Sequence, residues 1–544
     1  MPVDEYRVIG PPGCGKTTWL ASQVEAAASH RGSDTVLITS LTRAAASEVA
    51  GRKLPIPREH VGTLHAHAYR SLGHPRIFAS GVIGEWNRAH PAYSISVDDA
   101  DLDEASVDGR AVNAASGDEV FTDYTLQRTR VRPREAWAPA TRMFASAFEA
   151  WKRANEVMDF TDLIERATLD TESAPSGPSV IFADETQDYS KLEMALLRRW
   201  ARAEVGVERL VIVGDPDQNL YEWRGSDPLA FQDPPVEGDH RRVLKQSYRV
   251  PKAVHAAAVA WIRRSLNRPD VEYLPRDFEG SVTTSRIQWT MPAQLIDSIE
   301  ADLKTDRSIM VLASCSYMLT PILRSLREAG IPFWNPRRVS RGDWNPLRYG
   351  AGGAVSRFLS YVRPDDAVWG DLAHDWTASD VRDWSGALAG LFSRRSAPDV
   401  GGEFRGIPDD SPVTLQELAE LLKSPGDAAL AYGFMAGDYS WFESHLSAAY
   451  KQSMTFPIRV AQRRGAATLR RKPHVAVGTV HSVKGWEADK VYLFPDLSKA
   501  GFAQWMTQAG VNAVRRQFYV GMTRAKEDLV LCAPSGAWSV QWNG

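Results

Sequence analysis

The chain has 544 residues, 44% of them hydrophobic and 24% charged, enough for about three to five packed domains and unlike a disordered polymer. Its 64 Lys plus Arg against 67 Asp plus Glu give a net charge of −3, which excludes a whole-molecule positive field and confines any polyanion site to a local groove. Three Cys without metal-site spacing exclude a disulfide or zinc scaffold, no apolar run reaches the ~18 residues of a bilayer span, and the first ten residues lack a secretory pattern, so a soluble cytoplasmic protein with no membrane partner is expected.

In chain order, a short apolar strand is predicted over Tyr6–Ile9, then a glycine-rich loop, an Ala-rich helix over about Thr17–Ala28 and a strand over Thr35–Thr39. Strand, turn, helix and strand in succession mark a parallel α/β sheet. From His74 to Met158 the pattern weakens into a polar, Asp-rich stretch (Asp98 to Glu104 above all), with a helix near Thr141–Asn155, and reads as an inserted domain. Strands follow at Val180–Ala183 and Leu210–Val213, ending in Asp184-Glu185 and Asp215. Such carboxyl ends are where open α/β sheets keep their working residues.

A second α/β pattern begins after Asp239. It has a strand at Ile309–Ala313, a helix near Thr320–Ala329, and strands at Val475–Val480, Val491–Phe494 and Leu529–Cys532. Between about Asn335 and Pro473 it is interrupted by helical pieces near 415–423 and 440–450, a second insertion. The expected layout is two sheet halves (1–73 with 159–245, and 246–334 with 474–544), interrupted by insertions at 74–158 and 335–473. The basic residues Arg463, Arg464, Arg470, Arg471 and Lys472 are candidates for gripping phosphates.

Two segments carry chemistry. Gly10-Pro11-Pro12-Gly13-Cys14-Gly15-Lys16-Thr17 fits GxxxxGK[ST], a loop whose backbone N–H groups cradle phosphates at a helix start. There Lys16 supplies charge, Thr17 a hydroxyl for Mg²⁺, and Thr18 continues the lining. Asp184 is expected to share the metal, since Mg²⁺ prefers carboxylate oxygens and retains waters. Glu185 is expected to accept a proton from an attacking water.

The remaining motifs resemble a known family. Asp184-Glu-Thr-Gln-Asp188 is similar to the DExx box of superfamily 1 helicases, and Gly214–Gly225 (GDPDQNLYEWRG) to their third motif. Gln246–Arg249, Val477–Glu487 and Gln517–Ala525 are similar to the fourth, fifth and sixth, and Met158–Leu163 to the segment that closes the first insertion. Thr42–Glu48 and Gly62–His65 resemble the two motifs that touch the DNA backbone, with Leu41 where an aromatic is common and Arg43 near the position of a usual Lys. The Trp-Arg-Gly and His-Ser-x-Lys-Gly elements point to the UvrD/Rep/PcrA branch.

That resemblance implies two RecA-like motor domains, each interrupted by a smaller inserted domain, and ATP with Mg²⁺ as cofactors. It implies that Gln218 senses the γ-phosphate, that Arg249 and Arg524 reach it, that Tyr248 stacks on adenine and that Glu487 contacts ribose. Trp223 is expected to stack on an unpaired base, with Thr42, Arg43, Thr63, His65, Tyr221 and His481 also on the nucleic acid. The implied activity is ATP-driven 3′-to-5′ travel on single-stranded DNA with unwinding at single-strand/duplex junctions, by a monomer. The alternatives are a translocase that strips bound proteins and unwinds little, and a non-hydrolysing nucleic-acid scaffold. Lys16, Asp184, Glu185, Gln218, Arg249 and Arg524 are all present, which disfavours the scaffold.

Overall fold

The computed structural model describes residues 3–41, 51, 54–96, 116–236, 238–266, 268, 270–339, 341–347, 349–350, 352–362, 376–388, 390–391, 406–431 and 437–542. They form two compact units, Met1–Arg286 with Leu312–Tyr317 and Thr479–Gly544, and Ile287–Val311 with Met318–Gly478.

The first unit is built on strands β1 (Asp4–Ile9), β2 (Val36–Ser40) and β3 (Val61–Thr63). After a short pair, β4 (Arg76–Ile77) with β5 (Val157–Met158), come β6 (Val180–Asp184), β7 (Arg209–Gly214) and β8 (Arg241–Val243). The six longer ones form a parallel sheet in the order β3-β2-β6-β7-β1-β8. Its strands β2, β6 and β7 are mostly apolar runs because both faces are covered, whereas β1 carries Asp4, Glu5 and Arg7 before the apolar Val8 and Ile9. Leu20, Val24 and Ala28, spaced at one helix face, pack from the helix Lys16–Arg31 onto Val8, Val36, Phe182 and Val213; each fully buried Leu or Val contributes roughly 1.5–3 kcal/mol. The register aligns Ile9 with Gly214 and Val243, and Ser40 with Thr63 and Asp184. The chain therefore leaves the sheet at one carboxyl edge from every strand that carries a motif.

The stretch 74–158, expected as an insertion, is more helical than its polar sequence suggests. Besides Pro139–Ala154, helices span Ser80–Ala89 and Asp118–Thr129. They enclose an aromatic core in which Trp86 and Phe148 ring centroids lie 5.0 Å apart and Phe144 stacks on Phe148 at 5.3 Å. A buried ionic clamp binds this core to the next helix, Phe160–Asp170. Arg128 meets Asp159 (3.0 Å), Asp162 (2.5 Å) and Glu165 (2.5 Å), while Lys152 meets Asp159 and Asp162 (both 2.5 Å). Asp159 and Asp162 also close a reciprocal capping box at that helix start.

Strands β9 (Gln246–Pro251) and β10 (Leu274–Arg276) pair with each other. A second six-stranded sheet contains β11 (Ser281–Thr284), β12 (Ile309–Ala313), β13 (Phe333–Trp334), β16 (Val475–Thr479), β17 (Ala488–Leu493) and β18 (Ala525–Leu531), where β14 (Trp376–Thr377) and β15 (Pro412–Val413) are a separate antiparallel pair. Its order is β11-β18-β17-β12-β16-β13. Two parallel sheets of this kind make the chain an α/β protein with RecA-like architecture.

In the second unit, an aromatic core joins short helices, with Tyr361 and Phe442 at 4.4 Å and Trp376 and Trp384 at 5.2 Å. The helical piece expected over 440–450 is broken into Ser440–Ser444 and Ala448–Arg464. Of the basic run, Arg464 is engaged by Glu300 and the Gly330 carbonyl, and Lys472 lies 3.6 Å from the Trp334 ring centroid; Arg463, Arg470 and Arg471 are exposed. Among the described residues no helix is long and apolar enough to cross a membrane. The acidic stretch Asp98–Glu104 lies outside the described residues.

Candidate nucleotide and nucleic-acid site

The loop after β1 turns through two left-handed glycines, Gly13 (φ 75°) and Gly15 (φ 73°), into the helix that begins at Lys16. Gly13 is required twice over, because a Cβ there would also lie 2.5 Å from Cβ of Arg249. Lys16 Nζ donates to the Gly10 carbonyl (2.7 Å). Ser247 Oγ and Tyr273 OH donate to the Pro12 carbonyl (2.9 and 3.0 Å), and the Tyr248 N–H donates to Gly13 (2.9 Å). Strand β9 is thereby stitched to the loop. The Tyr248 ring lies over Gly15 and is 72% exposed, an aromatic face beside the phosphate cradle. Burial pushes the Cys14 thiol up to about 12, so it stays protonated and fills space. Thr17 is half-buried and Thr18 exposed at the helix start.

Asp184 is buried at the end of β6 and accepts from the Glu185 N–H (2.9 Å). Glu185 adopts a left-handed backbone (φ 54°), an uncommon conformation for this residue type that turns its side chain toward Gln187 Nε2 (2.6 Å) and Lys484 Nζ (3.1 Å). Lys484 also pairs with Asp188 and donates to the Gln218 carbonyl (3.1 Å). Burial alone would lift the Glu185 carboxyl, but Lys484 and Lys16 outweigh it and hold it down at about 2. Burial alone would lower Lys484; Asp188 and Glu185 reverse that and raise it. Glu185 is therefore an ionised acceptor at neutral pH.

Gln218 joins this group to a buried arginine. Its Nε2 donates to Asp215 (2.7 Å), and its Oε1 accepts from Arg524 Nη2 (3.2 Å). Arg524 is 1% exposed, and burial followed by the nearby Arg249 pulls its guanidinium down from its usual range. Arg249 is ion-paired with the exposed Glu487. Contacts join Glu185, Lys484, Gln218 and Arg524 into one chain, while Lys16 and Tyr248 are bonded to the glycine loop and Arg249 to Glu487.

Among the nucleic-acid candidates, Thr63 caps the helix Leu64–Ser71 by accepting from the Ala66 N–H (3.1 Å). His65 Nδ1 stands 3.7 Å from Glu193 with its ring edge-on to Phe160. Tyr221 is fully buried, its ring between Trp223 (6.3 Å) and His481 (6.1 Å), and His481 Nε2 lies 3.1 Å from the Leu220 carbonyl. Trp223 is half-buried beside a cavity lined also by Asn219, Ser314, His481, Gln504 and Gln517, and among the described residues its indole Nε1 has no hydrogen-bond partner. Thr42 and Arg43 lie outside the described residues.

Residues 3–224 match the family model of the AAA domain, and residues 461–535 match that of the UvrD-like helicase C-terminal domain. The chain belongs to the UvrD-like helicases of superfamily 1. It is 22% identical to "Putative ATP-dependent DNA helicase YjcD" of Bacillus subtilis across 97% of this chain and 76% of that one. Two further matches are shorter. An ATP-dependent helicase/nuclease chain of Lactiplantibacillus plantarum is 36% identical over 17% of this chain and 8% of the relative, and "ATP-dependent DNA helicase PcrA" of Staphylococcus epidermidis is 31% identical over 24% and 19%.

Sequence reasoning about this UvrD-like chain missed Lys484 as the partner of Glu185, although it stands in the His-Ser-x-Lys-Gly element, and missed Arg268, whose Nε donates to Asp217 (2.6 Å). Hard oxygen donors, Asp184 and the Thr17 hydroxyl, suit a Mg²⁺ that takes its remaining ligands from phosphate and water. Among the described residues no group of three or more His, Cys, Asp and Glu is arranged to hold a metal alone. Replacing Lys484 tests the charge balance. A base must be ionised, so its rate falls as pH drops through its pKa. With Glu185 as the expected base, the limb is expected at low pH while Lys484 is present, and turnover is expected to stay flat through mildly acidic pH. In Lys484→Met burial prevails, and the acid limb of kcat should move up by about one to three pH units. A pH–rate profile on folded protein checks this; an unmoved limb would dissociate Lys484 from the base.

Proposed function

We propose that this UvrD-like chain is an ATP-driven motor that travels 3′ to 5′ along single-stranded DNA and opens duplex at junctions. The observation that carries the reading is Gln218. Its side-chain amide lies between Asp215 and Arg524, its main-chain carbonyl accepts from Lys484 beside Glu185, and it begins the short segment that ends at Trp223. One residue thus touches both a nucleotide-type network and the approach to an aromatic platform.

In this reading Lys16 and the loop amides hold the phosphates of ATP, and Tyr248 stacks on its base. Thr17 and Asp184 hold Mg²⁺, which neutralises phosphate charge. Glu185 takes the proton from the attacking water. Arg249 exchanges its present partner, Glu487, for the γ-phosphate, leaving that carboxylate free for the ribose hydroxyls. Arg524 meets the same phosphate while keeping its contact with Gln218, since phosphoryl transfer depends on positioning and charge neutralisation. Trp223 stacks on an unpaired base regardless of sequence; Thr63, His65 and His481 lie along the backbone track, and Tyr221 supports Trp223 from beneath.

The test is ATP turnover with no nucleic acid, with single-stranded DNA and with RNA, followed by strand displacement on a 3′-tailed duplex. Strong stimulation by DNA is expected. Equal rates in all three conditions would reject the motor reading. Trp223→Ala should weaken single-strand affinity by about tenfold or more, the loss of one stacked base, with Trp223→Phe recovering much of it. Fluorescence anisotropy of a labelled oligonucleotide measures both.

A further inference from the structure

The segment Asp215–Gly225 is tied to the helix Val511–Met522 and its cap at two points. One is the Gln218–Arg524 contact. The other is an ion pair between Glu222 and Arg516. Glu222 immediately precedes Trp223, and Arg516 lies eight residues before Arg524. One helix and the turn that follows it therefore carry both Arg516, in the middle of the helix, and the buried Arg524, two residues past its end. The side chains of Arg516 and Glu222 are only 10% and 26% exposed, so solvent screens their attraction less than it would on an open surface.

The main chain at Glu222 is held from the opposite side. Its carbonyl accepts from Arg130 Nη2 (3.2 Å), and Thr129 Oγ1 approaches the Arg224 carbonyl (3.4 Å). Thr129 also fills the space beside Gly225, which at φ 98° has no room for a Cβ: one built there would lie 2.1 Å from Thr129 Oγ1. The backbone on both sides of Trp223 is thus held by Arg130 and Thr129 while the carboxylate before it is drawn toward the Arg516 helix, and among the described residues the buried indole nitrogen has no hydrogen-bond partner, so these contacts set where the ring stands.

We propose that the Glu222–Arg516 pair is a positioning strut that moves Trp223 in step with Arg524, so that occupancy of the nucleotide site sets how the ring meets nucleic acid. By linkage a bound strand acts back on Arg524 through the same strut. This inference rests on the motor reading above and adds to it a route between its two sites.

The experiment measures ATP turnover with and without single-stranded DNA in the wild type, in Glu222→Gln, in Arg516→Met, and in the exchange Glu222→Arg with Arg516→Glu. Each single variant should keep DNA-free turnover within about twofold and lose about tenfold of the DNA stimulation, with most of it returning in the exchange. A strand carrying 2-aminopurine gives an independent readout: nucleotide-dependent quenching should vanish in the single variants and reappear in the exchange, which a merely structural role would not produce. Near-isosteric Glu222→Gln guards against misfolding. Wild-type stimulation and quenching in both single variants, or an exchange no better than they are, would overturn the strut while leaving the motor intact. A wild type that DNA does not stimulate would reject the motor reading, and the strut with it.

Discussion

Glu185→Gln is expected to lower ATP turnover by about two to four orders of magnitude while leaving nucleotide affinity within a few-fold of wild type. The amide keeps the size of the carboxylate and can still meet Lys484, but it cannot accept a proton. In the native chain that carboxylate stays ionised because Lys484 and Lys16 outweigh its burial, so the loss should be nearly flat across neutral pH. Single-turnover hydrolysis compared with binding of a fluorescent nucleotide separates the two effects. Equal loss of affinity and rate would mean that Glu185 organises the site and does not act as its base.

Arg524→Ala is expected to cost about three to five orders of magnitude in kcat, the range over which an arginine finger acts. Two consequences of the change add up. In the proposed reading the transferred phosphate loses a fixed cation, and Gln218 Oε1 loses the donor that ties it to the turn after the helix Val511–Met522. Arg524→Lys should rescue little. The shorter, point-charged head cannot donate to Val520, Trp486 and Gln218 simultaneously, as the guanidinium fork does. Steady-state turnover and DNA stimulation, measured together, check both consequences; a lysine variant near wild type would show that charge alone suffices there.

The residues legible in the sequence were those whose chemistry is local. Val180 to Ala183 form an apolar run between polar borders, and the acids after it fall at a strand end for that reason. The loop Gly10–Lys16 declares itself because its glycines are needed wherever a backbone wraps closely around phosphate. β8 was not legible: Arg241, Arg242 and Val243 form an edge strand against β1, without the apolar run that marks an inner strand. Helices Ser80–Ala89 and Asp118–Thr129 were obscured by a polar stretch whose aromatic residues follow no helical spacing and meet only in space. In the site itself, Lys484 was visible as part of a motif but not as the counter-ion of a carboxylate 299 positions away. Glu222 stands in the segment Gly214–Gly225 and Arg516 294 positions later, but no local pattern pairs them. Charge pairs made by folding leave no periodicity to read, whereas strands and glycine turns do.

The clamp of Arg128 and Lys152 on Asp159, Asp162 and Glu165 bears on how this protein can be rebuilt. Its cations come before residue 158 and its acids after, so a chimaera cut at that border separates the two signs. Each charge marooned in the interior costs about 3–5 kcal/mol, a large part of the 5–15 kcal/mol typical of a whole domain. Transplanting or deleting the module therefore succeeds only when the seam is moved past Glu165, so that all five groups travel together.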